Sequence, residues 1–166
     1  NASQSRTSAF AAAADAPDTA PILLVRAYLS GGTRYWTSRA GTYGGQAYTE
    51  LLKAGLSLGL GVDALGRALR GFGRLELANE SDGGATRTSD LLATDIVSAR
   101  AVQIDWLYVG LTHPTDTLRL FSGMLEVPEQ DCFDDQVLRL NLMDDGNPLW
   151  AGIQDLACAR IHKILG

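Results

Sequence analysis

The sequence predicts a mainly β protein: an antiparallel β-sandwich or barrel, with a flexible N-terminal arm and a C-terminal amphipathic helix. Several runs alternate apolar and polar residues with period two, and turn-forming residues are concentrated between them. No helical pattern connects one run to the next, so consecutive strands are expected to pair antiparallel. We therefore divide the chain into an arm at 1–20, a β domain at 21–146 and a helix at 147–166.

Length and composition indicate one globular domain with tails. The chain has 166 residues, of which 46% are hydrophobic and 20% charged. A net charge of -5 and the scattered positions of its 14 Lys and Arg residues argue against nucleic-acid binding. Its longest apolar stretches fall short of the roughly 20 residues that span a bilayer, so no membrane span is expected. Cys132 and Cys158 form no CxxC motif, which disfavours a disulfide-stapled secreted domain.

The first 20 residues are expected to form the arm. They are rich in Ala and Ser and contain a single aromatic residue, Phe10. Such a segment buries too little apolar surface by itself to offset the entropy lost on ordering. The sequence AFAAAADA within it could still form one or two helical turns against a partner.

The β domain is expected to begin with a hairpin. The β-rich runs PILLVRAYLS and TRYWTSR flank Gly31 and Gly32, which predict a two-residue turn. The next run, from Ala47 to Val62, fits either a strand or a short helix. Three glycines in it would each cost a helix about 1 kcal/mol relative to Ala, so we favour a strand bent by glycine.

Later segments alternate more cleanly. After the sequence GFG, Leu75 and Leu77 fall on one face while Arg74 and Glu76 fall on the other. This pattern is typical of a strand with one buried and one solvated face. The same alternation occurs in ARAVQIDWLYVG, TLRLFSGMLEV and QVLRLNLMD.

The end of the chain has helical spacing. Asn147 can cap a helix and Pro148 fits its first turn. The apolar residues that follow recur on one side of such a helix: Trp150, Ile153, Leu156, Ala157, Ile161, Ile164 and Leu165. We expect this helix to cover an open face of the sheet or to dock on a partner.

Two glycine motifs match chemical signatures but lack their context. Ser57 lies in a G-x-S-x-G sequence, which in hydrolases needs a strand-to-helix turn that this run does not predict. Gly59, Gly61 and Ala64 match a degenerate dinucleotide fingerprint, which needs a βαβ unit. Neither an enzyme nor a nucleotide site is expected.

Metal-binding candidates are equally weak. His113 and His162 are far apart and have no Cys or His at ligand spacing. Three acidic groups lack the spacing of an EF-hand loop, and capping of turns is the simpler role for them. These groups are Glu80/Asp82, Asp131/Asp134/Asp135 and Asp144/Asp145. No metal and no cofactor is expected.

Aromatic residues are the main candidates for contacts with a partner. Tyr35, Trp36, Tyr43 and Tyr48 cluster around the first hairpin. Such residues anchor interfaces or stack on sugars, but they also form buried cross-strand pairs, and the sequence leaves both roles open. The further interface candidates are Trp106 and Tyr108 in a later strand and Trp150, Ile153, Ile161 and Ile164 in the predicted helix.

The order of segments carries a resemblance. A hairpin containing TRYWTSR is followed by YGGQAY, an extended run, GFGRLELANESDGG, a Leu-Leu-x-x-Asp segment, ARAVQIDWLYVG and FSGMLEV. This order resembles the tail-tip proteins of tailed bacteriophages and is most similar to the β-rich domain of baseplate hub and distal tail proteins. In those proteins the equivalent of LELANESDG closes one strand in an Asn-x-x-Asp-Gly corner. The similarity covers roughly Leu23 to Asp144.

The resemblance implies a structural protein of the virion tail, assembled in the cytoplasm of the bacterial host. It implies a ring of three or six copies whose β domain stacks on the tail tube and whose arm and helix reach neighbouring tail proteins. The alternative is a carbohydrate-binding or adhesive β-sandwich, motivated by the hairpin aromatics and by acidic loops that could hold Ca²⁺.

Overall fold

The computed structural model describes residues 7–52, 55–62, 68–81, 87–90, 99–126 and 136–144. The predicted helix at 147–166 lies outside these residues. Within them the protein consists of one α-helix, nine strands and a short 3₁₀ turn at Thr88–Asp90. The elements are α1 (Ser8–Asp15), β1 (Pro21–Leu29), β2 (Gly32–Thr37), β3 (Gly41–Tyr43), β4 (Gln46–Glu50), β5 (Gly55–Val62), β6 (Ala68–Ala78), β7 (Ala101–Tyr108), β8 (Leu118–Leu125) and β9 (Val137–Asp144).

The nine strands form one sheet in the order β3-β4-β2-β1-β7-β8-β9-β6-β5. All neighbouring strands are antiparallel except β2 and β4, which are parallel. The predicted mainly β class is confirmed, and the architecture is a single mixed sheet that is not a closed barrel.

The sheet is strongly curled. The backbone N–H of Ala78, at the end of β6, donates to the carbonyl of Leu51, just after β4, at 2.7 Å. Six strand spacings separate β4 from β6 in the sheet order, which is about 29 Å in a flat sheet. The two ends of the sheet must therefore curve toward each other, and the main hydrophobic core lies on the concave side, which we call the inner face.

The inner face is built by the alternation seen in the sequence. Leu75 and Leu77 of β6 are fully buried, whereas Arg74 is exposed and Glu76 is half-buried on the opposite, outer face. Buried leucines of β9 pair with these positions, with Leu140 opposite Leu75. The prediction of one dry and one wet face is confirmed for these strands.

The first hairpin forms with a turn shifted by one residue. Leu29 pairs with Gly32, so the two turn residues are Ser30 and Gly31 rather than the two glycines. Gly32 belongs to the strand and has φ of +131°, which residues with a β-carbon rarely adopt. In the observed register Val25 lies opposite Trp36, and both side chains are buried in the main core.

The run from 47 to 62, predicted to be one bent strand, contains two strands. β4 ends at Glu50, and β5 begins at Gly55 at the far edge of the sheet. The N–H groups of Leu51 and Leu52 both lie 3.1 Å from the carbonyl of Thr37, so the chain turns inward at this point. Both leucine side chains are buried in the core, which accounts for the break.

Residues 8–15, within the segment predicted to be an arm, form helix α1, which packs against β7. Helix α1 is capped by Thr7, whose hydroxyl accepts from the N–H of Phe10 at 3.1 Å. The Phe10 ring is buried, with its centroid 6.5 Å from that of Trp106 and 5.1 Å from that of Tyr108. This aromatic contact and the cap offset the ordering entropy that the Ala-rich composition alone would not.

The polar corner after β6 is held together by hydrogen bonds that satisfy backbone groups. The N–H of Asn79 donates to the carbonyl of Gln136 at 2.7 Å, and its side-chain oxygen accepts from the N–H of Ser89 at 2.9 Å. The Thr88 hydroxyl lies 2.6 Å from the carbonyl of Glu80. Asn and Thr therefore occur here because short polar side chains satisfy backbone groups where the strand ends.

Candidate functional site

In the described part of the chain, charged and aromatic side chains group on the outer face, where β1, β7 and β8 are neighbours. Leu24 pairs with Asp105, and Asp105 pairs with Arg119, so the strand register sets these positions on one face. Arg26, two residues after Leu24 along β1, lies on that face as well. Three neighbouring strands of the sheet thus carry charged side chains close to one another on the outer face.

The carboxylate of Asp105 is held between two guanidinium groups. Nη2 of Arg26 donates to Oδ2 of Asp105 at 2.8 Å, and Nε of Arg119 donates to Oδ1. The Asp105 side chain is 3% exposed, against 23% for Arg26 and 27% for Arg119. We call this group the Arg26–Asp105–Arg119 cluster. It joins three neighbouring strands through a buried carboxylate that would be costly without its partners.

A set of rings covers the same face beside the charged cluster. The ring of Tyr48 makes edge contacts with Tyr35, Tyr43 and His113, at centroid distances of 5.3, 5.6 and 6.4 Å. Tyr48 is buried and the other three side chains are half-buried. We call these four residues the tyrosine cluster. It brings the β3–β4 hairpin and the loop after β7 together over the sheet.

The turn between β3 and β4 is shaped by the neighbouring loop. Gly44 has φ of +59°, and a β-carbon built on it would lie 2.9 Å from Cδ2 of His113. Glycine at this position permits both the left-handed backbone and the close approach of the histidine. The YGGQAY sequence is therefore a hairpin turn fitted against His113.

Burial controls the ionisation of the tyrosines. It raises the pKa of Tyr48 to about 12, with Arg26 opposing and Asp105 reinforcing the shift. Burial also raises the pKa of Tyr43, whose hydroxyl donates to the carbonyl of Arg39 at 2.8 Å. Both phenols therefore stay protonated at neutral pH, and the hydroxyl of Tyr43 acts as a hydrogen-bond donor.

Burial lowers the pKa of His113 below its ordinary 6.5, with Arg26 and Arg119 acting in the same direction and Asp105 opposing. Its Nδ1 is buried and has no hydrogen-bond partner among the described residues. The unfolded chain therefore takes up a proton near pH 6.5 that the folded chain takes up only at lower pH. The folded state is expected to lose stability as pH falls below about 6.5 through the lowered pKa of His113.

This pH dependence is testable because the chain has only two histidines. Urea unfolding between about pH 7 and pH 5 should show a shallower dependence of the unfolding free energy on pH for His113→Gln than for the unmodified chain. The matched control is His162→Gln, which removes the other histidine. Equal slopes for His113→Gln and the unmodified chain would contradict the assignment.

The described interface candidates fall into three environments. Trp36 is 1% exposed in the main core, while Tyr35, Tyr43 and Tyr48 belong to the tyrosine cluster. The last group, Trp106 and Tyr108, contacts Phe10 of α1. The remaining candidates lie outside the described residues: Trp150, Ile153, Ile161 and Ile164.

Among the described residues, the aromatic side chain with the greatest exposure is one that the sequence did not single out. Tyr28, on the outer face of β1, is 37% exposed, and its hydroxyl donates to Oε1 of Gln103 at 3.1 Å. The Arg26–Asp105–Arg119 cluster was missed as well. Its signal is a charge inside an otherwise apolar strand, as in VQIDWLYV, because a buried carboxylate requires partners.

Most residues of the two glycine motifs lie in β5. Ser57 is in the middle of β5, paired with Arg74 of the antiparallel neighbour, and not at a strand-to-helix turn. Gly59 and Gly61 are in the same strand, whereas Ala64 lies outside the described residues. Ser57 is thus a strand residue, and its surroundings differ from the turn that activates such a serine in hydrolases.

The acidic groups were expected to cap turns. The carbonyl of Glu80 accepts from the N–H of Thr88 at 2.9 Å, and Asp144 ends β9. Several candidate residues lie outside the described part of the chain: Asp82, Asp131, Asp134, Asp135, Asp145, Cys132, Cys158 and His162. Among the residues that it does describe, no three His, Cys, Asp or Glu side chains group as metal ligands.

In the part of the chain that the structure describes, no helix has the length and apolar character needed to cross a membrane.

No protein-family model matches the chain, and no curated protein matches it either. Each of the two outer-face clusters joins segments that are distant in sequence.

Proposed function

We propose that this chain is a structural subunit of a bacteriophage tail tip, of the baseplate hub or distal tail type, and that it forms a ring of three or six copies. The observation that carries the proposal is the order of the segments that resemble those proteins. In this chain they correspond to successive parts of one β domain: TRYWTSR to β2, YGGQAY to β3–β4, GFGRLELA to β6, ARAVQIDWLY to β7 and FSGML to β8.

A fixed shape is what a ring subunit of a virion tail needs. The Arg26–Asp105–Arg119 cluster ties three neighbouring strands, and the bond from Ala78 to Leu51 fastens the two ends of the sheet. The tyrosine cluster packs a hairpin and a loop over the outer face. These long-range contacts support a rigid structural role for the domain.

Contacts with neighbouring subunits are expected at exposed side chains. Trp36 lies in the core and Tyr108 is covered by α1, so neither offers a free surface. The large apolar side chains exposed in the described part are Tyr28, Leu58 and Val109. In the assembled virion, we place contacts with other copies of the chain and with neighbouring tail proteins, including the tail tube, at such exposed positions.

The test is the mass of the assembly, by light scattering on a purified sample, with negative-stain images of the same peak. The expected result is a closed ring of three or six copies. Addition of isolated phage tail tubes should give end-on rings in the images. A chain that stays monomeric at every concentration and leaves the tube ends bare would contradict the proposal.

The carbohydrate-binding alternative has one observation in its favour. The exposed ring of Tyr28 lies beside the amide of Gln103, a combination of apolar surface and hydrogen-bonding group that suits a sugar. The hairpin aromatics support it less, because Trp36 is buried and Tyr35 is half-buried. Glycan-array signal that disappears in Tyr28→Ala would favour this function, and a blank array would exclude it.

A further inference from the structure

The two edges of the sheet differ in how they are protected. β3, at one edge, is three residues long, which leaves little backbone free for pairing. β5, at the other edge, is eight residues long. On the side of β5 away from β6, no strand in the described part of the chain pairs with it. A strand of that length offers a row of N–H and C=O groups to another chain.

β5 also lacks the devices that usually block such pairing. Its sequence, GLSLGLGV, contains no charged residue and no proline. Proteins commonly protect an edge with lysine, proline or a bulge, and the irregularity in this strand comes only between Leu60 and Val62. Residues 55–60 therefore form an uninterrupted, uncharged edge on which Leu58 is 39% exposed.

We propose that β5 pairs antiparallel with β5 of a second copy of this chain, about a twofold axis at Leu58. This register sets Leu58 opposite Leu58 and Ser57 opposite Gly59 of the other copy. The two exposed leucines then cover each other, at the close spacing of directly opposed residues in an antiparallel pair. No charge meets a like charge along the strand, so a chain of net charge -5 can still associate at this edge.

A second copy fits better than an unrelated segment because the strand matches itself. Its residues alternate leucine with glycine or serine, and an antiparallel pairing about Leu58 places leucine against leucine throughout. The paired inner faces would then continue from one copy to the next as a single sheet, with twice the nine strands that the structure describes in one chain. This inference does not rest on the proposed function, since a twofold contact joins two subunits or two rings.

The test is sedimentation velocity over a concentration series, with Leu58→Glu as the variant. Two carboxylates directly opposite each other should weaken association by about tenfold or more, because like charges across a strand pair repel. The matched control is Thr115→Glu, which places the same charge on an exposed side chain in the turn after β7. It should associate as the unmodified chain does.

A second variant guards against loss of folding. Ser57→Glu keeps Leu58 and sets its carboxylate opposite Arg74 within the chain, which favours the fold while adding negative charge at the edge. It should also weaken association, with an unchanged circular dichroism spectrum. Association of Leu58→Glu and Ser57→Glu equal to that of the unmodified chain would overturn the β5 pairing. Rings that persist in both variants while pairs of rings separate would support the β5 pairing and leave the proposed function standing.

Discussion

Trp36→Ala is expected to lower the free energy of unfolding by about 3–5 kcal/mol, the usual cost of truncating a large aromatic residue in a core. Trp36 is 1% exposed and lies opposite Val25 in the strand register, within the main core. Alanine leaves a cavity that the curled sheet cannot close, because its ends are already joined from Ala78 to Leu51. Urea unfolding followed by far-ultraviolet circular dichroism measures the loss.

The matched control is Tyr28→Ala, which truncates an aromatic residue on the other face of the neighbouring strand. Tyr28 is 37% exposed and makes one side-chain hydrogen bond to Gln103, so its loss should cost about 1 kcal/mol or less. An interface role for Trp36, which the sequence left open, gives the opposite result. Trp36→Ala would then fold with unchanged stability and fail only in assembly.

The strands could be predicted because each carries its own local pattern. The alternation of Leu75 and Leu77 with Arg74 and Glu76 needs only a period of two to be recognised. The first hairpin was predictable for the same reason, since a turn signal lies between two β-rich runs. Its turn lies one residue earlier than predicted because three residues, Ser30 to Gly32, can each occupy a tight turn.

The curled architecture and the outer-face clusters depend on contacts between distant segments. Asp105 meets Arg26 across 79 positions of sequence, and Tyr48 meets His113 from a separate loop. No local period encodes which strands become neighbours, so the sequence showed the aromatic residues without their grouping. Helix α1 was underestimated for a related reason, because Phe10 is held by rings nearly a hundred residues away.

Asp105→Asn is the second substitution with a large expected effect, a loss of about 3 kcal/mol in the free energy of unfolding. Asparagine keeps the size of the side chain but removes the charge that two guanidinium groups share. Removing one partner of a buried ion pair leaves uncompensated charge, at a typical cost of about 3–5 kcal/mol. The lower end applies here because Arg26 and Arg119 retain about a quarter of their exposure. The measurement is urea unfolding at neutral pH.

The expected cost of Asp105→Asn arises from burial of the carboxylate. A second, more exposed ion pair on the same sheet serves as the control for burial. Glu76 and Arg139 are cross-strand neighbours, 3.4 Å apart between Oε1 and Nε, with side chains 29% and 36% exposed. Water screens this pair, so Glu76→Gln should cost less than about 1 kcal/mol. If the two substitutions cost the same, the carboxylate of Asp105 contributes no more than a surface charge. A loss confined to Asp105→Asn instead identifies the Arg26–Asp105–Arg119 cluster as the contact that holds β1, β7 and β8 in register.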